Sequence, residues 1–303
     1  MEQHHSYDHD HHHHHAPKNI NRAFVIGIIL NISFVLIEAI TGLLQHSLAL
    51  ITDSGHNLSD VIGLLFVLMA NRLAKIKPTE KFTYGYSKST VLVALTNAVL
   101  LLVAVGAIGL EAVRRISEPH PVEGKIISIV AFIGILINLT TALLFFKDKE
   151  KDLNIKGAYL HMAADALVSL GVVIAGIIII YTQWFWLDAV ISLLIIVVIV
   201  ASTWGLFRDS LRLTLDGVPA GIDLVKVRDY FIRLKEVTAI HDLHIWAMST
   251  TEAAMTVHLV VPQGGDDAFL SKVKHDLHHD FNIIHTTIQI EKSGDDVACS
   301  QKC

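Results

Sequence analysis

The sequence predicts an α-helical membrane protein with a small α+β domain at its C-terminal end. Three observations carry that expectation. Of the 303 residues, 52% are hydrophobic and only 17% charged, and the mean hydropathy is +0.51, beyond the range of an ordinary soluble domain. The apolar residues cluster into six runs of membrane-crossing length. The last hundred residues lose that character and alternate short helical and strand patterns.

The six runs can be justified in order. Ala23 to Leu44 carries one charge, Glu38, and Val91 to Leu110 and Ile126 to Phe146 carry none. Each is long enough to span ~30 Å of hydrocarbon as a helix. Leu48 to Leu73, Ile155 to Tyr181 and Trp184 to Phe207 are less clean but of similar length, which makes six transmembrane helices. The polar, His-rich beginning and the absence of a small-residue cleavage pattern after the first run predict no cleaved signal peptide.

Lysine and arginine set the expected orientation. Lys18, Arg22, Arg72, Lys75, Lys77, Lys81, Lys88, Lys147, Lys149, Lys151, Lys156, Arg208 and Arg212 fall on one side, against Arg114, Arg115 and Lys125 on the other. Both termini are therefore expected in the cytoplasm, in a bacterial inner or plasma membrane. A net charge of -5 leaves no basic footprint and argues against a nucleic-acid partner.

The chain divides into a His-rich disordered arm (residues 1–21), a six-helix membrane domain (22–208) and a soluble domain with tail (209–303). The arm, "HHSYDHDHHHHHAPKN", reads as a metal-capturing segment near the cytoplasmic entrance. In the tail, "IDLVKVRDYFIRLKEV" has helical periodicity, "TAIHDLHIWAMS" and "AAMTVHLVV" read as strands, "DAFLSKVKHDLHHDF" as a helix and "HTTIQIE" as a last strand. That α-β-β-α-β order predicts a ferredoxin-like α+β domain with its helices on one face of a three-stranded sheet.

Polar residues inside the apolar runs carry the chemistry. His56 and Asp60 are four apart in the second run, and His161 and Asp165 repeat the spacing in the fifth. A separation of four places each pair on one helix face, one turn apart. Two imidazoles and two carboxylates make the four donors of a tetrahedral zinc site. An Asp in mid-membrane costs ~2.5–3.5 kcal/mol on insertion scales, and a bound cation or proton offsets that cost. Helix-to-helix hydrogen bonding is the plainer reading for a lone intramembrane histidine, but a duplicated His-x-x-x-Asp pair favours metal. Asp53 reads as a partner orienting His56, a helix cap or a water-facing residue, and with Asn57 stays outside the ligand set. Glu38 is a candidate for the ion pathway.

The motifs "LALITDSGHNLSD", "KFTYGYSK", "HMAADALVS", "WFWLDAVIS" and "HDLHIW" run through most of the chain, and together they resemble the cation diffusion facilitator family, in its zinc-transporting group. The resemblance implies a homodimeric exporter that moves Zn2+ out of the cytoplasm in exchange for H+, with His56, Asp60, His161 and Asp165 as the transport site. Imidazole must be neutral to bind metal, so zinc and proton compete at the same atoms. Imidazole donors suit zinc first and cadmium or cobalt second, whereas an all-oxygen site would suit manganese or magnesium.

The resemblance also implies a zinc site in the C-terminal domain from His241, His258 and Glu291, with His285, Cys299 and Cys303 as further candidates. His244, three residues from His241, is expected on the opposite strand face, packed beside Trp246. Two departures stand out. The loop "KDKEKDLNIKG" lacks histidine, and "KIKPTEKFTYGYSK" has neither His nor Asp for an additional loop metal site.

An intramembrane metalloenzyme is disfavoured, because His-Glu-x-x-His is absent and four protein ligands leave no open position for water. A proton-independent divalent-cation facilitator and a membrane metal sensor are the alternatives to an antiporter. A sensor would have no need of a mid-membrane site.

Overall fold

A computed structural model describes residues 22–146 and 153–292, with the side chains of Asp60 and His161 outside the description. The arm, the centre of the loop at 147–152 and the Cys299/Cys303 pair also lie outside the described residues.

Six long helices occupy the six apolar runs: α1 (Arg22–Leu44), α2 (Leu48–Ala74), α3 (Ser89–Ser117), α4 (Gly124–Phe146), α5 (Leu153–Thr182) and α6 (Trp186–Thr214). Four of them, α3 to α6, contain windows long and apolar enough to cross a membrane. Their outer surfaces are apolar as well; Leu110 and Leu167 are 73% and 70% exposed, while Glu38 and Asp53 are buried. Apolar outside and polar inside is the pattern of a bundle dissolved in lipid, where the helix backbone satisfies its own hydrogen bonds. The chain is a multi-pass membrane protein.

Helix α2 sits centrally and packs against α1, α3, α5 and α6. Its N-terminus is held by an unusual cap. Ser47 Oγ accepts from Leu50 N at 3.3 Å and donates to Asp188 Oδ1 of α6 at 2.6 Å, while Leu48 N donates to Asp188 Oδ2 at 2.6 Å. One buried carboxylate thus satisfies free N–H groups at the positive end of a helix 140 residues away in sequence. Thr52 Oγ1 and Ser192 Oγ, 2.7 Å apart, continue the α2–α6 seam. The cap of α2 is Ser47, so Asp53, nearly two turns further in, does not serve as one.

Helices α4 and α5 meet through glycine. A Cβ at Gly176 would clash with Ser128 Oγ and lie 2.9 Å from the Gly124 carbonyl oxygen, so only hydrogen fits. Small residues at such a crossing let two backbones approach where lipid supplies no hydrophobic drive to hold helices together.

After α6 come α7 (Leu224–Arg233), β1 (Ala239–Ala247), β2 (Ala253–Val260), α8 (Asp267–Phe281) and β3 (Ile283–Glu291). The sheet order is β1-β2-β3, with β1 antiparallel and β3 parallel to the central β2. Val227 and Phe231 of α7 and Val273 and Leu277 of α8 pack on Ile245, Met255, Val257 and Leu259, so both helices cover one face. Asp223 and Asp266 cap the two helices, and Tyr230 Oη donates to Asp276 Oδ2 at 2.8 Å to tie them together. The other sheet face carries the histidines.

Gly176→Leu should lower the thermal midpoint of the detergent-solubilised protein, consistent with the ~1–3 kcal/mol typical of overpacking. Gly171→Ala, on the same helix with open space at its Cβ, should not lower it. Equal midpoints for the two variants would contradict the close crossing.

Candidate metal centres

Two groups of titratable side chains are brought together, one within the helices and one on the sheet. In the first, His56 on α2 and Asp165 on α5 face each other with Nε2 and Oδ1 4.0 Å apart. Donors on a tetrahedral zinc with bonds of ~2.0–2.2 Å stand about 3.3–3.6 Å apart, so this gap needs only a small closure to fit one. Both residues, with Asp53, line a cavity of about 290 Å³ that continues past Asn97 to Ser202 and Thr203. Asp53 is 2% exposed, and its Oδ2 accepts from Ser169 Oγ at 3.2 Å. Asn57 is also buried. The Asp60 and His161 side chains, the other half of the expected ligand set, are outside the described residues.

The second group is tighter. His241 Nε2 lies 2.9 Å from Glu291 Oε2, His258 Nδ1 lies 2.9 Å from Glu291 Oε1, and the two rings meet edge to face at 4.9 Å. Their donor atoms all fall within 4.8 Å of one another. His241 pairs directly with His258 across β1 and β2, and Glu291 closes the third side from the end of β3. His258 Nδ1 is buried and, though close to Glu291, lies outside hydrogen-bond geometry. Two imidazoles and a carboxylate whose donor atoms converge fit a zinc ion chemically. The 2.9 Å contacts are shorter than the ~3.3 Å edge of a tetrahedral site, so a metal would open the cluster by a few tenths of an ångström.

Asp242 belongs to this group and is not apparent from spacing alone. It occupies a bulge between His241 and His244, with φ of 53°, a backbone region Asp tolerates better than most residues. Its Oδ2 is 3.5 Å from His258 Nε2 and its Oδ1 is 3.0 Å from His244 Nε2. A carboxylate on Nε2 fixes the ring so that Nδ1 points at Glu291, the usual arrangement behind a metal-binding histidine. The bulge also reverses the expectation for His244. His241 and His244 pair with His258 and Thr256, two residues apart on β2, so the extra residue returns His244 to the same face as His241. His285 stands apart, with its ring 5.4 Å from Tyr84 of the α2–α3 loop.

Family models match both halves of the chain. The cation efflux transmembrane domain covers residues 24–214, and the cation efflux protein cytoplasmic domain covers 219–293. The chain belongs to the cation diffusion facilitator family, in its zinc-transporting group. Members of this cation efflux family are transporters, not enzymes. The zinc transporter ZitB of Escherichia coli is 36% identical over 291 residues, covering 95% of this chain and 92% of the relative. The metal cation efflux system protein CzcD of Cupriavidus metallidurans is 36% identical over 289 residues, covering 95% and 89%. A Bacillus velezensis protein described as a cadmium, cobalt and zinc/H(+)-K(+) antiporter is 34% identical over 279 residues, covering 90% and 89%. Among solved structures, a metal-bound C-terminal domain of the CzcD transporter from Cuprividus metallidurans matches at 36% identity with a TM-score of 0.22, covering 23% of this chain and 99% of that one.

In this cation efflux protein the Glu291 carboxyl is held below the usual carboxylate range, chiefly by its hydrogen bond with His241, against the opposing effect of burial. A group depressed on folding contributes stability that is present above the ordinary carboxylate range and is lost as pH falls through the folded value. For metal-free protein, the difference in thermal midpoint between wild type and Glu291→Gln should therefore be largest above that range and shrink on acidification. A difference independent of pH would show that Glu291 contributes by packing rather than by charge.

Proposed function

We propose that this chain is a zinc exporter: a homodimer that exchanges Zn2+ for H+ by alternating access and takes cadmium or cobalt as secondary cargo. His56, Asp60, His161 and Asp165 are the ligands of the transported ion. The observation that carries the reading is the 4.0 Å approach of His56 to Asp165 across two different helices, beside a cavity, inside a bundle whose outer face is apolar. Asp60 and His161 lie one helical turn from these two residues by sequence, which supports a four-donor set.

Exchange follows from the donors. Zinc requires neutral imidazole and ionised carboxylate, so a proton arriving at either displaces the metal, and the metal displaces the proton. Because the ligands sit on separate helices, a rocking of one part of the bundle against another can present them to each side in turn. The Bacillus velezensis relative carries an exchange with protons in its name, and the zinc transporters ZitB are similar over nearly the whole chain, which supports both the cargo and the coupling.

All six helices cross the membrane in this reading, with both termini in the cytoplasm, as the lysine and arginine distribution favours. The C-terminal domain, ferredoxin-like in element order, dimerises. Its His241, His258 and Glu291 hold a resident zinc, with Asp242 behind His258, and that zinc tightens the dimer. The match to a dimerising cytoplasmic domain supports this arrangement.

In proteoliposomes with an imposed pH gradient, wild type should carry zinc and cadmium but little manganese, and Asp60→Ala should lose zinc flux by more than the ~10–100-fold cost of removing an outer-shell partner. Flux indifferent to the gradient would sink the exchange, and full flux in Asp60→Ala would sink the site. His56→Asp should widen the metal range toward manganese, since it exchanges a nitrogen donor for an oxygen. An unchanged metal profile would remove His56 from the ligand set.

A further inference from the structure

Helix α8 turns three histidines away from the sheet. His275, His278 and His279 are all exposed, and the His279 side chain is 77% exposed. Val273 and Leu277, two residues before His275 and His279, are fully buried in the domain core, and two residues are a rotation of about 200° around a helix. The His275–His279 row therefore stands on the far side of α8 from the core. The face of the sheet that carries His241, His258 and Glu291 is the one α8 does not cover, so the two groups are separate.

One pair among the three is arranged as a chelate. His275 and His279 are four residues apart, where side chains are neighbours on a helix surface. Their rings stack with centroids 6.0 Å apart and planes inclined by 19°. Zn–N bonds of ~2.0–2.1 Å to one nitrogen of each ring put the ring centres roughly 5–6 Å apart, so the pair stands at the open end of that range. Neither ring is packed into the core, and the broad χ2 preference of histidine lets both turn toward one ion at little cost. His278 projects about 100° around the helix from His279 and does not join the stack.

A carboxylate prepares one of the two rings. His279 Nδ1 donates to Asp280 Oδ1 at 2.8 Å. An ionised carboxylate only accepts, so the ring proton sits on Nδ1 and the Nε2 lone pair is left for a metal. Asp242 plays the same part behind His258 on the sheet.

We propose that His275 and His279 form a second metal site on the C-terminal domain, for zinc or another divalent cation that accepts imidazole nitrogen, with water completing the coordination. Cobalt, nickel and copper share that preference, whereas magnesium and calcium take oxygen. The site has two protein donors against three on the sheet, and the exposed Lys272 lies one turn before His275. It therefore fills after the sheet centre. Occupancy has a structural consequence, because the helical hydrogen bond from His279 N to the His275 carbonyl closes the same turn that a cation bridging the two side chains would clip. Asn282 alone, with φ of 54°, separates α8 from β3, and β3 ends in Glu291. Zinc on α8 thus stiffens the corner from which that strand departs. None of this depends on the transport reading.

The test uses the full-length protein in detergent and Zn2+ alone. At saturating zinc, equilibrium dialysis should give about one zinc fewer per protomer for His275→Ala and for His279→Ala than for wild type. Replacing both should cost no more than replacing either, since a chelate fails when one arm is lost, whereas independent imidazoles give losses that add. His278→Ala should match wild type. Asp280→Ala should weaken the site ~10-fold, the lower end of the ~10–100-fold cost of removing the group behind a ligand. By hydrogen-exchange mass spectrometry, zinc should slow the amides of residues 278–281 in wild type, and His275→Ala should lose that slowing. A wild type without it overturns the proposal even if a variant misfolds. So do equal stoichiometries for wild type and His275→Ala, additive losses in the double variant, or an equal loss in His278→Ala, each the mark of solvated imidazoles that bind singly.

Discussion

Lipid offers no hydrogen-bond partner, so every polar group carried into this bundle must be satisfied by another helix, and α2 is where that constraint concentrates. The helix begins inside the protein, where its first N–H groups would otherwise be orphaned, and Asp188 of α6 accepts from them. That carboxylate is buried, and it sits at the positive end of a helix dipole, where an acceptor is favoured. Two turns along α2, the Asp53 and His56 side chains have α1 and α5 for neighbours instead. Fixing the start of α2 against α6 therefore fixes the depth at which its polar row meets Glu38, Asp165 and Ser169. The seam from Ser47 through Thr52 to Ser192 is the scaffold of the candidate transport site, although none of its members reaches the cavity.

The two halves of the molecule are joined by few but directional contacts. Lys88, just before α3, pairs with Asp216 after α6, Thr250 N donates to Thr90 Oγ1 at 3.1 Å, and Tyr84 meets His285. All three involve the α2–α3 connection or the start of α3, and the partners are the end of α6, the β1–β2 turn and β3. The exposed Lys88–Asp216 pair contributes little stability by itself. Its value is positional, because it ties the last residues of the membrane-spanning part to a loop anchored by α2. A change in the sheet domain thus has a short mechanical route to the helix that carries His56.

Much of this was legible in the sequence. Apolar length marked the helices, and period-2 alternation separated β1, β2 and β3 from α7 and α8. His241, His258 and Glu291 meet as expected because cross-strand pairing follows from strand order once β2 is central. What the sequence concealed depends on geometry with no fixed spacing. Asp242 enters the sheet cluster only because a bulge inserts one residue, and a strict two-residue alternation sends His244 to the wrong face. Asp188 lies 140 residues from the N–H groups it accepts from, so nothing local distinguishes it from an ordinary first-turn acid. Ser169 sits one turn beyond Asp165 on α5, but a serine in a membrane helix usually bonds back to its own backbone. The Gly124–Gly176 crossing is only faintly marked: Gly124 and Ser128 make a small-xxx-small pair, but Gly176 has no small residue four positions to either side.

The two candidate metal centres differ in a way that suits different tasks. On the sheet, His241 and His258 come from paired strands whose separation the backbone ladder fixes, and Asp242 locks one ring from behind. A cation held there would have little freedom to change its coordination. Between the helices, His56 and Asp165 come from α2 and α5, which touch each other much less than α4 touches α5 or α3 touches α6. Ligands on lightly coupled helices can separate at low cost, because few packed side chains must rearrange. In the proposed reading, residence and release would use overlapping ligand chemistry and differ in how rigidly the backbone holds the donors. A transported ion needs the second arrangement, since a site that could not open would bind zinc and keep it.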